Sequence, residues 1–172
     1  MPHTPRPSTK SLYTPEERAR RDATPWTIVQ AILAPLQFFV FAVSLGLVLR
    51  YLFTGDGYTA ATVSILIKTL ILYTIMVTGA IWEKVVFGQY LFAPAFFWED
   101  VFSFAVIALH TGYLWALFTG QSHNLQMFIA LAAYTTYVIN AGQFLWKLRQ
   151  ARLQAASESA PTGTLAMEQG TP

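Results

Sequence analysis

Four long apolar stretches, separated by short polar breaks, organise the chain. Residues 26–49 contain no charged side chain, and about 20 consecutive apolar residues suffice to cross the hydrocarbon of a bilayer. Thr24 and Pro25 precede this stretch as an N-cap and a first-turn proline. Within it, Pro35 removes one backbone donor and predicts a bend over residues 31–37. Arg50 and Tyr51 close the stretch, and Thr54, Gly55, Asp56 and Gly57 read as a turn. A second stretch covers residues 60–82, interrupted by Lys68 and ending in Glu83 and Lys84. The third covers residues 97–118, with His110 inside it, and ends at the turn 119–122. The fourth covers residues 125–146 and stops at Lys147, Arg149 and Arg152. The pattern predicts an all-α polytopic membrane protein with four transmembrane helices.

Residues 85–96, VVFGQYLFAPAF, are apolar and aromatic, but Gly88 and Pro94 argue against a continuous helix. A turn or re-entrant piece at the interface is expected, with Trp82 and Trp98 flanking it at the depth that indole rings favour. Upstream, Thr14, Pro15, Glu16 and Glu17 spell a capping box that opens a short basic helix through Arg21. The expected organisation is an N-terminal segment 1–23, a four-helix domain 24–153 and a disordered tail 154–172.

Composition agrees with this reading. Of 172 residues, 54% are hydrophobic and 12% charged, against roughly a quarter charged in a soluble domain. The formal charge is +2, and most Lys and Arg lie near the two ends beside apolar segments, which suits anionic lipid headgroups better than nucleic acid. Absence of cysteine excludes disulfides, thiolate metal sites and cysteine nucleophiles. The polar, proline-bearing start shows no pattern of a removable signal peptide. By the positive-inside rule, both termini and the loop carrying Lys84 are expected in the cytoplasm, since the other two loops offer only Arg50.

Charged groups at membrane depth cost about 2.5–3.5 kcal/mol each on insertion scales, so each invites an explanation. Lys68 is roughly 12 Å from the outer end of its helix, within reach of outward snorkelling. Glu83, Glu99 and Asp100 crowd toward one end, around the aromatic loop, with Lys84 the nearest cation in sequence. Adjacent helical residues diverge by about 100°, so Glu99 and Asp100 are not expected to share one pocket fully. One of them serves as a first-turn carboxylate favoured by the helix dipole, and the other joins Glu83 as a candidate acid or base. His110 follows Glu99 by three turns on nearly the same face, about 16 Å away, too far for contact. Gln30, Gln37, Asn140 and Gln143 are expected to hydrogen-bond between helices. No phosphate-binding loop, dinucleotide fingerprint, zinc cluster or serine elbow is present, which disfavours nucleotide- or zinc-dependent chemistry.

Three segments carry a resemblance: YTPEERARRDATPW at 13–26, LAPLQF at 33–38 and TGAIWEKVVFGQYLFAPAFFWEDVFS at 78–103. Over residues 13–153 the chain resembles the 3-vinyl (bacterio)chlorophyllide hydratases of bacteriochlorophyll biosynthesis in purple photosynthetic bacteria. The resemblance implies addition of water across the C3 vinyl of a magnesium chlorin, giving a 1-hydroxyethyl group. It implies no cofactor, because the magnesium belongs to the substrate. The expected partners are chlorophyllide, the bilayer and neighbouring enzymes of the pathway, with no nucleic acid. The expected location is the bacterial inner, intracytoplasmic photosynthetic membrane.

Such a hydration needs a proton donor for the terminal vinyl carbon and a base for water. A carboxyl in an apolar pocket holds its proton at neutral pH, while a better-solvated neighbour stays ionised. Glu83 with either Glu99 or Asp100 is expected to divide these roles. His110 is a candidate axial ligand to the substrate's magnesium, and Trp98, Tyr90, Gln89 and Lys68 are candidate substrate-binding residues. Phe87, Tyr90, Phe92, Phe96, Phe97 and Trp98 offer rings that could stack on a flat macrocycle. A non-catalytic chlorin carrier is the alternative. An exporter of lipophilic cations is disfavoured, because the acidic residues sit at span ends.

Overall fold

The computed structural model describes residues 12–158, and all of its regular elements are helices. They are α1 (Pro15–Ala23), α2 (Pro25–Thr54), α3 (Tyr58–Phe87), α4 (Phe97–Phe118) and α5 (His123–Glu158). The capping box forms as the sequence suggests: Glu17 Oε2 accepts from the Thr14 amide at 2.8 Å, and Thr14 Oγ1 accepts from the Glu17 amide at 3.2 Å. Thr24 caps α2 through the Trp26 amide, with Pro25 in the first turn. The helix continues unbroken through Pro35. Gly55 and Gly88 end α2 and α3 in the left-handed conformation, at φ 78° and 86°, where a Cβ would be strained.

Four helices, α2 to α5, are long and apolar enough to cross a membrane. Three extend beyond the apolar stretches seen in sequence, because helix stops at its caps and hydrocarbon stops earlier. α4 keeps the expected bounds. α5 runs to Glu158, several residues into the stretch expected as a tail, since LQAAS is made largely of good helix formers. The remainder of that tail, and residues 1–11, lie outside the described residues.

Short connections make α2/α3 and α4/α5 antiparallel hairpins, each closely packed along its length. The hairpins join mainly through α2 against α5, whereas α3 and α4 meet sparsely, with Tyr73 and Thr111 hydroxyls bonded at 2.7 Å. Phe41, Val48, Ile65, Leu72, Val106, Tyr113, Met127 and Tyr134 form the core between them. Large apolar side chains such as Ile32, Phe39, Phe53, Leu70 and Phe118 point outward, as a lipid-facing surface requires.

A second, smaller cluster closes one end of the bundle. Tyr13, Val86 and Phe96 are buried there, with Trp82, Phe87 and Phe144 around them. Tyr13 stacks on Phe87 at 5.7 Å, and Arg20 Nε donates to the Val86 carbonyl at 2.8 Å. α1, the 88–96 segment and the late part of α5 therefore share one end of the molecule.

Candidate functional site

The closed end is where three acidic side chains converge. Glu83 comes from the last turns of α3, and Glu99 and Asp100 from the first turn of α4. Between them the 88–96 segment leaves the left-handed cap at Gly88 and folds back over the gap. Its backbone is spent on the carboxyls: Glu83 Oε2 accepts from the Ala93 amide at 3.2 Å, and Asp100 Oδ2 accepts from the Phe92 amide at 2.6 Å. All three acids are buried, at 5% exposure for Glu83, 5% for Glu99 and 3% for Asp100.

The adjacent acids of α4 diverge, yet neither faces solvent. Asp100 turns toward α3, where its carboxyl lies within hydrogen-bonding reach of Glu83. Glu99 turns toward α5, where Lys147 Nζ donates to its Oε2 at 2.6 Å and also to the Ala95 carbonyl. Burial of both follows from having a helix on each side. A hydrogen bond between two carboxyl groups requires one proton held between them, whereas a carboxylate beside an ammonium needs none. The first-turn position favours negative charge at both residues.

Lys147 is the participant that sequence reading missed. It was visible as the first residue of the basic run after the fourth stretch, but its partner lies 48 positions away. The nearer cation, Lys84, instead donates to the Gly88 carbonyl at 2.7 Å and sits 5.4 Å from the centre of the Tyr90 ring.

Phe92 was noticed for its ring, and its backbone is the more unusual feature. It is the one non-glycine residue with positive φ among the described residues, at 59°, a conformation that costs about 1–3 kcal/mol and persists only where surroundings hold it. The Asp100 bond holds one side, and the ring stacks on Phe104 at 5.5 Å and leans on Phe97 at 5.7 Å.

The other candidates fall into two groups. Tyr90 and Trp98 point outward, 61% and 64% exposed, and Gln89 donates to the nearby Leu91 carbonyl at 3.1 Å. Lys68 and His110 lie deep within the bundle and are both fully buried. Lys68 does not snorkel: its Nζ is 3.8 Å from the centre of the Tyr137 ring, which draws it inward. His110 Nδ1 bonds the Val106 carbonyl at 2.8 Å. Gln30 and Asn140 bridge helices as expected, to Thr78 at 2.8 Å and Ser103 at 2.9 Å. Among the described residues, no group of three or more His, Asp or Glu side chains is arranged to hold a metal ion.

The family model of 2-vinyl bacteriochlorophyllide hydratase matches residues 13–150, which include all three acids and Lys147. The chain belongs to this family. It is 83% identical over 172 residues to the 2-vinyl bacteriochlorophyllide hydratase of Rhodobacter capsulatus, covering 99% of each chain. It is 81% identical over 153 residues to the protein of that name from Cereibacter sphaeroides, covering 89% of this chain and 96% of the relative. No solved structure matches. Membership places the carboxyl cluster in a hydratase family, where a proton donor and a proton acceptor are the chemistry to look for.

Proposed function

We propose that this protein is a membrane hydratase acting on the vinyl group of a bacteriochlorophyllide-type magnesium chlorin, with the Glu83–Asp100 pair as its acid and base. The observation that carries the reading is the burial of two carboxyls within hydrogen-bonding reach of each other, sheltered by the 88–96 segment. The vinyl position numbered 2 in the family name is the C3 vinyl of the resemblance noted above.

The reaction balances without redox chemistry. The protonated member of the pair gives its proton to the terminal vinyl carbon, which becomes a methyl group. Positive charge then rests on the inner carbon and spreads into the conjugated ring. Water oxygen bonds to that carbon, and the other carboxylate takes the proton that water releases. One proton leaves the pair and one returns to the other member, and its passage between the two neighbouring carboxyls restores the site after each turnover. Amide donors from Phe92 and Ala93 keep the carboxyl oxygens in place throughout. Glu99, committed to Lys147, contributes fixed charge and anchors α4 to α5.

The exposed rings of Tyr90, Phe92, Phe97 and Trp98 offer an apolar, aromatic surface beside the pair on which a macrocycle could lie, with Gln89 at its edge. His110 is fully enclosed, so this mechanism does not use it as a magnesium ligand. The substrate brings its own metal, and no cofactor takes part. The closed end faces the cytoplasm, as the distribution of Lys and Arg implies, in the photosynthetic inner membrane alongside other enzymes of the pathway.

The test is to incubate the purified protein with a vinyl chlorophyllide in heavy-oxygen water. Hydration adds one labelled water to the pigment, detected by mass spectrometry. Pigment that binds but keeps its mass would favour a carrier instead.

A further inference from the structure

A line of buried polar side chains leads from the carboxyl pair into the middle of the bundle. On α4, Asp100 is followed one turn later by Ser103 and two turns after that by His110, all buried. Against this face α5 lays Asn140 and Tyr137, and Asn140 Nδ2 donates to Ser103 Oγ at 2.9 Å. From α3 comes Lys68, whose Nζ rests over the Tyr137 ring and within electrostatic reach of His110.

These groups do not satisfy one another. Lys68 Nζ, His110 Nε2 and Asn140 Oδ1 are buried without a hydrogen-bond partner among the described residues. Because Nδ1 donates to the Val106 carbonyl, Nε2 of the neutral ring carries a lone pair and can only accept. The lysine nitrogen donates, and the carboxamide oxygen can only accept. A group set between Lys68 Nζ and His110 Nε2 must accept from the first and donate to the second, while Asn140 Oδ1, on the Ser103 side, calls for a donor of its own. An anion cannot donate to His110 or Asn140, and these side chains include no carboxylate to hold a metal ion. Water does both, and a polar enclosure with several partners is where buried water resides.

We propose that Lys68 and His110 hold internal water at mid-bundle, that Asn140 Oδ1 takes a further water, and that Asn140 and Ser103 lie between this water and the Glu83–Asp100 pair on a supply route for reacting water. The connection to catalysis rests on the hydratase reading, while the water site rests on geometry alone. A flat macrocycle laid over the 88–96 segment shuts off the solvent side, so water stored inside the protein is what reaches the inner vinyl carbon.

X-ray footprinting of the full-length protein in detergent tests the site, since radicals formed from bound water oxidise adjacent side chains whatever their bulk exposure. Tyr137 and His110 are expected to be oxidised several-fold faster than Phe96, which is buried in the other cluster. Equal rates would overturn the proposal on the native protein alone. Lys68→Met combined with His110→Leu is expected to bring Tyr137 down to the Phe96 rate, whereas His110→Gln, which keeps an acceptor, retains fast labelling. Loss of labelling in His110→Gln while it elutes as native protein would count against the site. For the supply role, Asn140→Leu is expected to lower kcat with unchanged KM for the chlorophyllide. Unaltered kcat would overturn that role, and a native protein with no hydratase activity would overturn it while leaving the footprinting result standing.

Discussion

Lys147 on the last helix closes on Glu99 at 2.6 Å, fixing the start of α4 to α5 through a pair that is almost hidden on the acidic side. Lys147→Met leaves that carboxylate buried without its cation, at a cost of about 1–3 kcal/mol, nearer the lower end because the lysine is still about a quarter exposed. The expected outcome is a lower midpoint for thermal aggregation in detergent, followed by size-exclusion chromatography. Adding Glu99→Gln to Lys147→Met should restore most of the loss, since the stranded charge is then gone.

The proposed acid and base roles separate the three carboxyls. Glu83→Gln and Asp100→Asn are each expected to lower kcat by about 10²–10⁴-fold, the usual worth of general acid–base catalysis. Glu99→Gln should fall far less, because its partner is Lys147. Rates of vinyl chlorophyllide hydration, measured at matched protein levels, check the order. Equal loss in all three variants would contradict the division.

Phe92 separates the value of a ring from the cost of a backbone. Phe92→Ala and Phe92→Gly both lose the stacking on Phe104, but glycine alone accepts the positive φ without penalty. Phe92→Gly is therefore expected to be more stable than Phe92→Ala by about 1 kcal/mol, seen as a higher thermal midpoint. The reverse order would mean that the Asp100 contact does not hold the backbone in this conformation.

Orientation can be read on a clean background, because the chain has no cysteine. Gln89→Cys and Ser122→Cys place single thiols at exposed positions on opposite ends of the bundle. A membrane-impermeant maleimide should label Gln89→Cys in inside-out vesicles and Ser122→Cys in right-side-out ones. The opposite pattern would put the carboxyl site on the far side of the membrane.

Much of the architecture was legible because bilayer thickness and capping chemistry act locally. Residues 97–118 could be bounded from their own composition, and the Thr14–Glu17 box from four adjacent residues. What escaped was set by partners distant in the chain. Lys68 read as a snorkelling residue because only its distance from the helix end was visible, and Tyr137 on α5 turned it inward. Glu99 and Asp100 read as rivals for one pocket because helices on both flanks could not be foreseen. The pairing of Asp100 with Glu83 depends on how the 88–96 segment folds, which rests on two amide contacts.

Glu83 and Asp100 stand on opposite sides of the seam between α3 and α4, where contact is sparse. Neither hairpin alone sets their spacing. The Phe92 and Ala93 amides tie them locally, and the seating of α2 against α5 sets how far one half of the molecule can rock on the other, so a small rocking would strain that tie and part the two carboxyls or press them together. The distance between the two carboxyls is thus a gauge of how the two halves fit.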